Sequence, residues 1–119
     1  MQEIMPESQG KILGVRISGR FNSDEYQSLL VPRLKNIIQE HGGVRFLLCL
    51  EDSFHGFGLS ELLNDAFVQK YADNFEKIAV LSGSRWRRLE LRVSAILLSG
   101  RVNIFSTDEL SEAWEWLRT

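Results

Sequence analysis

Cysteine is nearly missing from this sequence: Cys49 is the only one in 119 residues. An internal disulfide and a cysteine-cluster metal site are therefore excluded, and the place of Cys49 inside an apolar run marks it as a small buried hydrophobe. Histidine is scarce as well, with His41 and His55 the whole supply. Glu51, Asp52 and His55 lie close together, but one histidine beside acids has little specificity for a metal, and none is expected. No apolar run approaches the ~20 residues that cross a bilayer, so no integral membrane segment is expected. Residues 1–10 do not have the charged-then-apolar layout of a signal peptide, which makes the cytoplasm the expected location. A formal net charge of −2 gives no general pull toward nucleic acid or anionic lipid. There is no Walker loop, no G-x-G-x-x-G run and no G-x-S-x-G elbow, so no cofactor is indicated and no catalytic motif declares an enzyme.

What is present describes an ordinary globular protein, 44% apolar and 25% charged. At this length the chain is one domain, residues 1–119, with a single core region. Its organising stretch is Val44-Arg45-Phe46-Leu47-Leu48-Cys49-Leu50, an almost unbroken apolar run of strand length that breaks into acids, Ser, His and Gly. That pattern reads as a buried strand feeding a polar turn and then a helix.

Residues 3–8 suggest a short first strand, held to an edge because Pro6 cannot donate to a ladder. In residues 12–18, Leu13, Val15 and Ile17 alternate with Gly14, Arg16 and Ser18, the period of a strand buried on one face, and the two segments form a hairpin. Asn22 and Glu25 have capping-box-like spacing, with Ser23 or Asp24 as alternative caps, before a helix carrying Tyr26, Leu30, Leu34, Ile37 and Ile38. Pro32 should kink or split that helix, and Gly42-Gly43 should end it, with His41 favoured at its C-terminus by the helix dipole. Leu59, Leu62, Leu63, Ala66, Phe67 and Tyr71 mark a second helix with one apolar face. Residues 77–81 form another strand, and Ser82-Gly83-Ser84 turns it into a third helix with Trp86, Leu89, Val93, Ile96 and Leu97. Residues 102–105 make the last strand. Ser106 and Glu109 then supply a capping box for a final helix with Ala113, Trp114 and Leu117 inward. The expected fold is α/β, β-β-α-β-α-β-α-β-α, with a mostly parallel five-stranded sheet and four main helices.

This order of elements, the run Val44-Arg45-Phe46-Leu47-Leu48-Cys49-Leu50-Glu51-Asp52, the segment Asp73-Asn74-Phe75-Glu76-Lys77-Ile78-Ala79-Val80 and the following Arg85-Trp86 resemble the bacterial SpoIIAA-like group. That group is related in fold to STAS domains of sulfate transporters and anti-sigma-factor antagonists, and more loosely to CRAL-TRIO lipid-binding domains. The resemblance implies a non-catalytic interaction or regulatory domain with a protein partner of unknown identity. Its looser branch implies the alternative, a small amphiphile or anion bound at the carboxyl ends of the strands. Anti-sigma-factor antagonists carry a phosphorylatable serine in an Asp-Ser-Ser-Gly-Leu motif. Matching Gly58-Leu59 to it places Phe57 where that serine belongs, and the switch serine is missing.

In a parallel sheet, ligands meet the carboxyl ends of the strands. That edge gathers the binding candidates Ser53, His55 and Phe57 from one loop, with Ser82, Ser84, Arg85 and Trp86 from another. A helix N-terminus after Ser-Gly-Ser can offer N–H groups to an anion, although Ser and Asp also collect at such edges simply to cap helices. Asp52, Ser53 and His55 have the residue types of a catalytic triad, but closeness in sequence is not a hydrogen-bonded chain in space. Arg85, Arg87, Arg88 and Arg92 around Trp86 read as a solvated face balanced by Glu90 and acids elsewhere, and no nucleic-acid partner is expected. The half-polar edge strands leave a homodimer open.

Overall fold

The computed structural model describes residues 1–55, 66–85, 87, 88 and 101–119. Its strands are β1 (Gln2–Ile4), β2 (Ile12–Ile17), β3 (Val44–Leu50), β4 (Phe75–Ser82) and β5 (Val102–Phe105), joined in one sheet in chain order. β1 pairs antiparallel with β2, and the remaining neighbours pair in parallel, as a short hairpin turn and long connections allow. β1 stops at Ile4 instead of running across residues 3–8, because the chain turns at Pro6, which has no N–H to give a ladder.

Local chemistry accounts for the helices. Asn22 Oδ1 accepts the Glu25 N–H at 3.0 Å and opens α1 (Ser23–Glu25). The box is not reciprocal, since the Glu25 carboxylate takes the N–H of Gln2 in β1. Pro32 splits the helix as expected: a π-helical segment, Tyr26–Leu30, lets the Val31 N–H reach Tyr26 O, and Pro32 then sits in the first turn of α2 (Val31–His41), where no donor is required. Gly42 ends α2 at φ 77°, a left-handed conformation that costs glycine no Cβ clash.

The second helix is described only from α3 (Ala66–Lys70), where Phe67 is buried and Ala66, placed by pattern on the apolar face, is exposed. Leu59, Leu62 and Leu63 lie outside the described residues, as do Leu89, Val93, Ile96 and Leu97 of the third helix. The last helix, α4 (Leu110–Arg118), follows the Ser106–Glu109 capping box through a 3-10 turn, Thr107–Glu109. Among the described residues no helix is long and apolar enough to cross a membrane.

Strand alternation gives the sheet two apolar faces. Val15, Leu48 and Val80 pack with Leu30 and Leu34 on one side, while Leu47, Ala79 and Leu81 pack with Ala113, Trp114 and Leu117 of α4 on the other. Burying each such Leu or Val contributes about 1.5–3 kcal/mol relative to leaving it exposed. One irregularity positions charge. The β3–β4 register shifts between Val44, which faces Phe75, and Arg45, which faces Lys77, leaving Glu76 as the extra residue. Its carboxylate lies 2.9 Å from both Lys11 Nζ and Arg45 Nε.

Candidate functional site at the carboxyl ends of the strands

Because β2 to β5 run the same way, their following loops gather at one edge of the sheet. There the pairing of β2 with β3 continues past both strand ends. Gly19 adopts φ 69°, and its N–H donates to Ser53 Oγ at 2.9 Å. The His55 N–H donates to Gly19 O and the Phe21 N–H to His55 O, each at 3.0 Å, so two loops are laced by four residues. The His55 ring turns back on its own loop, with Nδ1 2.9 Å from Ser53 O.

These bonds answer the triad question. The Ser53 hydroxyl is engaged by a backbone amide, and His55 Nδ1 is engaged by a backbone carbonyl. Asp52 points toward the next loop, where its Oδ1 lies 3.0 Å from the place a Gly83 Cβ would occupy, with Thr107 Oγ1 3.5 Å from the same point. A Cβ at 83 would crowd the Asp52 carboxylate and come into ordinary contact with Thr107. The three side chains Asp52, Ser53 and His55 are neighbours without forming a proton relay. Among the described residues, no group of three His, Cys, Asp or Glu side chains could hold a metal ion.

Beyond β4, Ser82 is buried and its Oγ accepts the Ser84 N–H at 3.3 Å. Ser84 Oγ accepts the Arg87 N–H at 3.2 Å and Ser84 O the Arg88 N–H at 2.9 Å, the pattern of an N-cap. Arg85 is exposed. The arginines expected on a solvated face divide differently. Arg88 Nη1 donates to Ser82 O and Arg87 Nη2 to Phe54 O, both at 2.8 Å, and both residues are half-buried. The Arg87 guanidinium also lies over the Phe54 ring, 5.1 Å from its centroid. Arg92 and Glu90 of that face lie outside the described residues, and so do the candidates Phe57 and Trp86. Sequence reasoning missed Phe54 and Arg87 as partners; 33 positions separate them, and neither carries a local signal of the contact.

On the α4 side of the sheet a groove of about 460 Å³ is lined by Glu3, Arg16, Ser18, Glu51, Asp52 and Ser53. Arg16 Nε lies 2.8 Å from Glu51 Oε1, a charge contact rather than a directed hydrogen bond. Cys49 sits opposite Arg16 in the ladder, and burial pushes its thiol pKa up despite the nearby guanidinium.

No curated protein matches the chain significantly. A solved structure, an uncharacterised protein of the DUF3478 family with a SpoIIAA-like fold from Shewanella loihica PV-4, superposes with a TM-score of 0.70 at 17% identity, covering 98% of this chain and 93% of that one. At that identity the likeness speaks for the fold alone. The SpoIIAA-like family model matches residues 12–118, from β2 to the end of α4. The chain belongs to the SpoIIAA-like family.

Proposed function

We propose that this SpoIIAA-like domain is a non-catalytic interaction module of the cytoplasm, and that it meets a protein partner through the edge formed by the loops after β2, β3 and β4. One observation carries the reading. The Ser53 hydroxyl accepts the Gly19 N–H across the two loops, while His55 laces them through its backbone and turns its ring Nδ1 onto Ser53 O of its own loop. What remains outward is a laced rim with Arg20, Asp52, Ser84 and Arg85 exposed. A rim held in one shape loses little conformational freedom on association, which favours a recognition surface.

Phosphorylation of the loop after β3 is not part of the proposal. Matching Gly58-Leu59 to the anti-sigma-factor antagonists' motif puts Phe57, not a serine, at the switch position. A phosphate on Ser53 would displace the Gly19 amide and crowd Glu51 and Asp52. The alternative, binding of a small amphiphile or anion, has less support. The groove beside the rim sets three carboxylates against one guanidinium, a lining suited neither to an apolar tail nor to an anion.

Affinity capture from the native host at endogenous level tests the reading, with native mass spectrometry of the freshly purified chain run alongside. A partner retained by the wild type and by Lys35→Glu on the exposed face of α2, but lost with Arg20→Glu and Asp52→Arg, is the expected result. Equal recovery by all variants, or a co-purifying small molecule without a protein partner, would overturn it.

A further inference from the structure

We propose that Arg87 is a latch that sets the shape of the loop after β3 from the far side of β4. The inference rests on reading this edge as the contact surface, and adds how that surface is held.

Phe54 is the pivot. Its ring is buried in the core and its N–H closes a turn onto Glu51 O at 3.0 Å. The residues on either side of it, Ser53 and His55, are the ones tied to Gly19. Those ties run toward β2. The tie in the opposite direction is Arg87, which donates Nη2 to Phe54 O at 2.8 Å while its guanidinium covers the ring. One planar group thus holds both the backbone and the side chain of the pivot, a task for which a lysine ammonium lacks the geometry.

The base of the latch is itself anchored. The Arg87 N–H is held by Ser84 Oγ, and the neighbouring Arg88 reaches back to Ser82 O at the end of β4. Phe54 O is therefore positioned relative to the end of β4 as well as to β2. Residues 51–55 cannot shift at Phe54 without either breaking the Arg87 bond or moving the turn that carries it. A partner seated on the segment after β4 would be felt at His55, and a partner at His55 would be felt at Arg87.

Amide hydrogen exchange on the full chain, without any partner, tests this for wild type, Arg87→Gln, Arg87→Lys and the exposed neighbour control Arg85→Gln. In Arg87→Gln the amides of His55 and Phe21 should exchange about tenfold faster, the size expected when a hydrogen bond from a charged donor is lost. Arg87→Lys keeps the charge and most of the stem, so it guards against a folding failure of the glutamine variant. It should show the same acceleration, because the planar fork is gone. Amides within β3 and β4 should be unchanged, and Arg85→Gln should match wild type. Unchanged protection at His55 and Phe21, equal acceleration in Arg85→Gln, or acceleration spread evenly through β3 and β4 would overturn the latch. These rates are read without a partner, so the latch can fail while partner capture by the rim succeeds, and the reverse.

Discussion

Arg45 Nε meets Glu76 Oε1 at 2.9 Å while Arg45 Nη1 donates to Leu117 O at 2.6 Å, so one arginine joins the bulge of β4 to the C-terminus of α4. Lys77, which faces Arg45 in the ladder, also reaches this helix end, donating to Trp116 O at 2.8 Å. Cations at a helix C-terminus meet unpaired carbonyls and the negative end of its dipole. The docking of α4 on the sheet therefore includes a charged clasp at the end remote from the proposed contact rim.

Hydrogen bonds from Lys11 first, and then Arg45, hold the Glu76 carboxyl below its ordinary value of 4.5. A depressed folded pKa stabilises the fold above the unfolded value, and that contribution is lost as pH falls through the folded one. Glu76→Gln should cost about 1 kcal/mol at pH 7, with the side chain a third exposed and partly screened. Its difference from wild type should begin to shrink as pH falls past 4.5 and vanish only below the lowered folded value, as followed by urea unfolding across pH.

Gly43 shares this network. A Cβ there would lie 2.3 Å from Glu76 Oε2, so Gly43→Ala should push the carboxylate off Lys11 and Arg45. The two changes should be non-additive: Gly43→Ala should cost clearly less in the Glu76→Gln background than in wild type, in a double-mutant cycle.

Gly14 lets the edge of the Trp114 ring come close against β2. A Cβ at 14 would stand 2.4 Å from Trp114 Cη2 and 2.9 Å from Cζ2, atoms of a buried ring that has no room to swing away. Gly14→Ala should destabilise by about 2 kcal/mol through overpacking. Trp114→Phe should recover part of that loss in the double variant, as measured by chemical denaturation.

At the rim, backbone and side chain should separate. His55→Ala should change stability by less than about 0.5 kcal/mol, because the inter-loop bonds of His55 use its N–H and C=O. Ser53→Ala removes the acceptor for the Gly19 N–H at an exposed site where water can replace it, and should cost under about 1 kcal/mol. Amide exchange at Gly19 should rise in the serine variant and stay unchanged in the histidine variant.

Ser106 and Glu109 form the reciprocal capping box before α4, and the Ser106 N–H bond lowers the Glu109 carboxyl pKa. Ser106→Ala should cost about 1 kcal/mol and Ser106→Gly only a few tenths, the ordering of N-cap preferences. Thermal unfolding of the two variants checks it.

What the sequence determined by itself was everything that depends on neighbours along the chain. Alternation at Leu13, Val15 and Ile17 set the face of β2, Pro32 split a helix because it has no N–H, and Gly42 and Ser106 marked an end and a beginning. The parallel direction of β2 to β5 followed from connections long enough to cross over, while their order in the sheet came only with the structure. Tertiary structure alone decided which polar residues would meet. Ser53 and His55 have catalytic residue types, yet the Ser53 hydroxyl bonds to Gly19, and His55 bonds to Gly19 and Phe21 through its backbone and to Ser53 O through its ring. Arg87 and Arg88 sit in a basic run like surface charges, yet both turn to carbonyls that need donors. Glu76 reads as one more strand residue until a one-residue register shift frees it to meet two cations. Such contacts depend on distances between residues far apart in the chain, and no periodicity or cap encodes them.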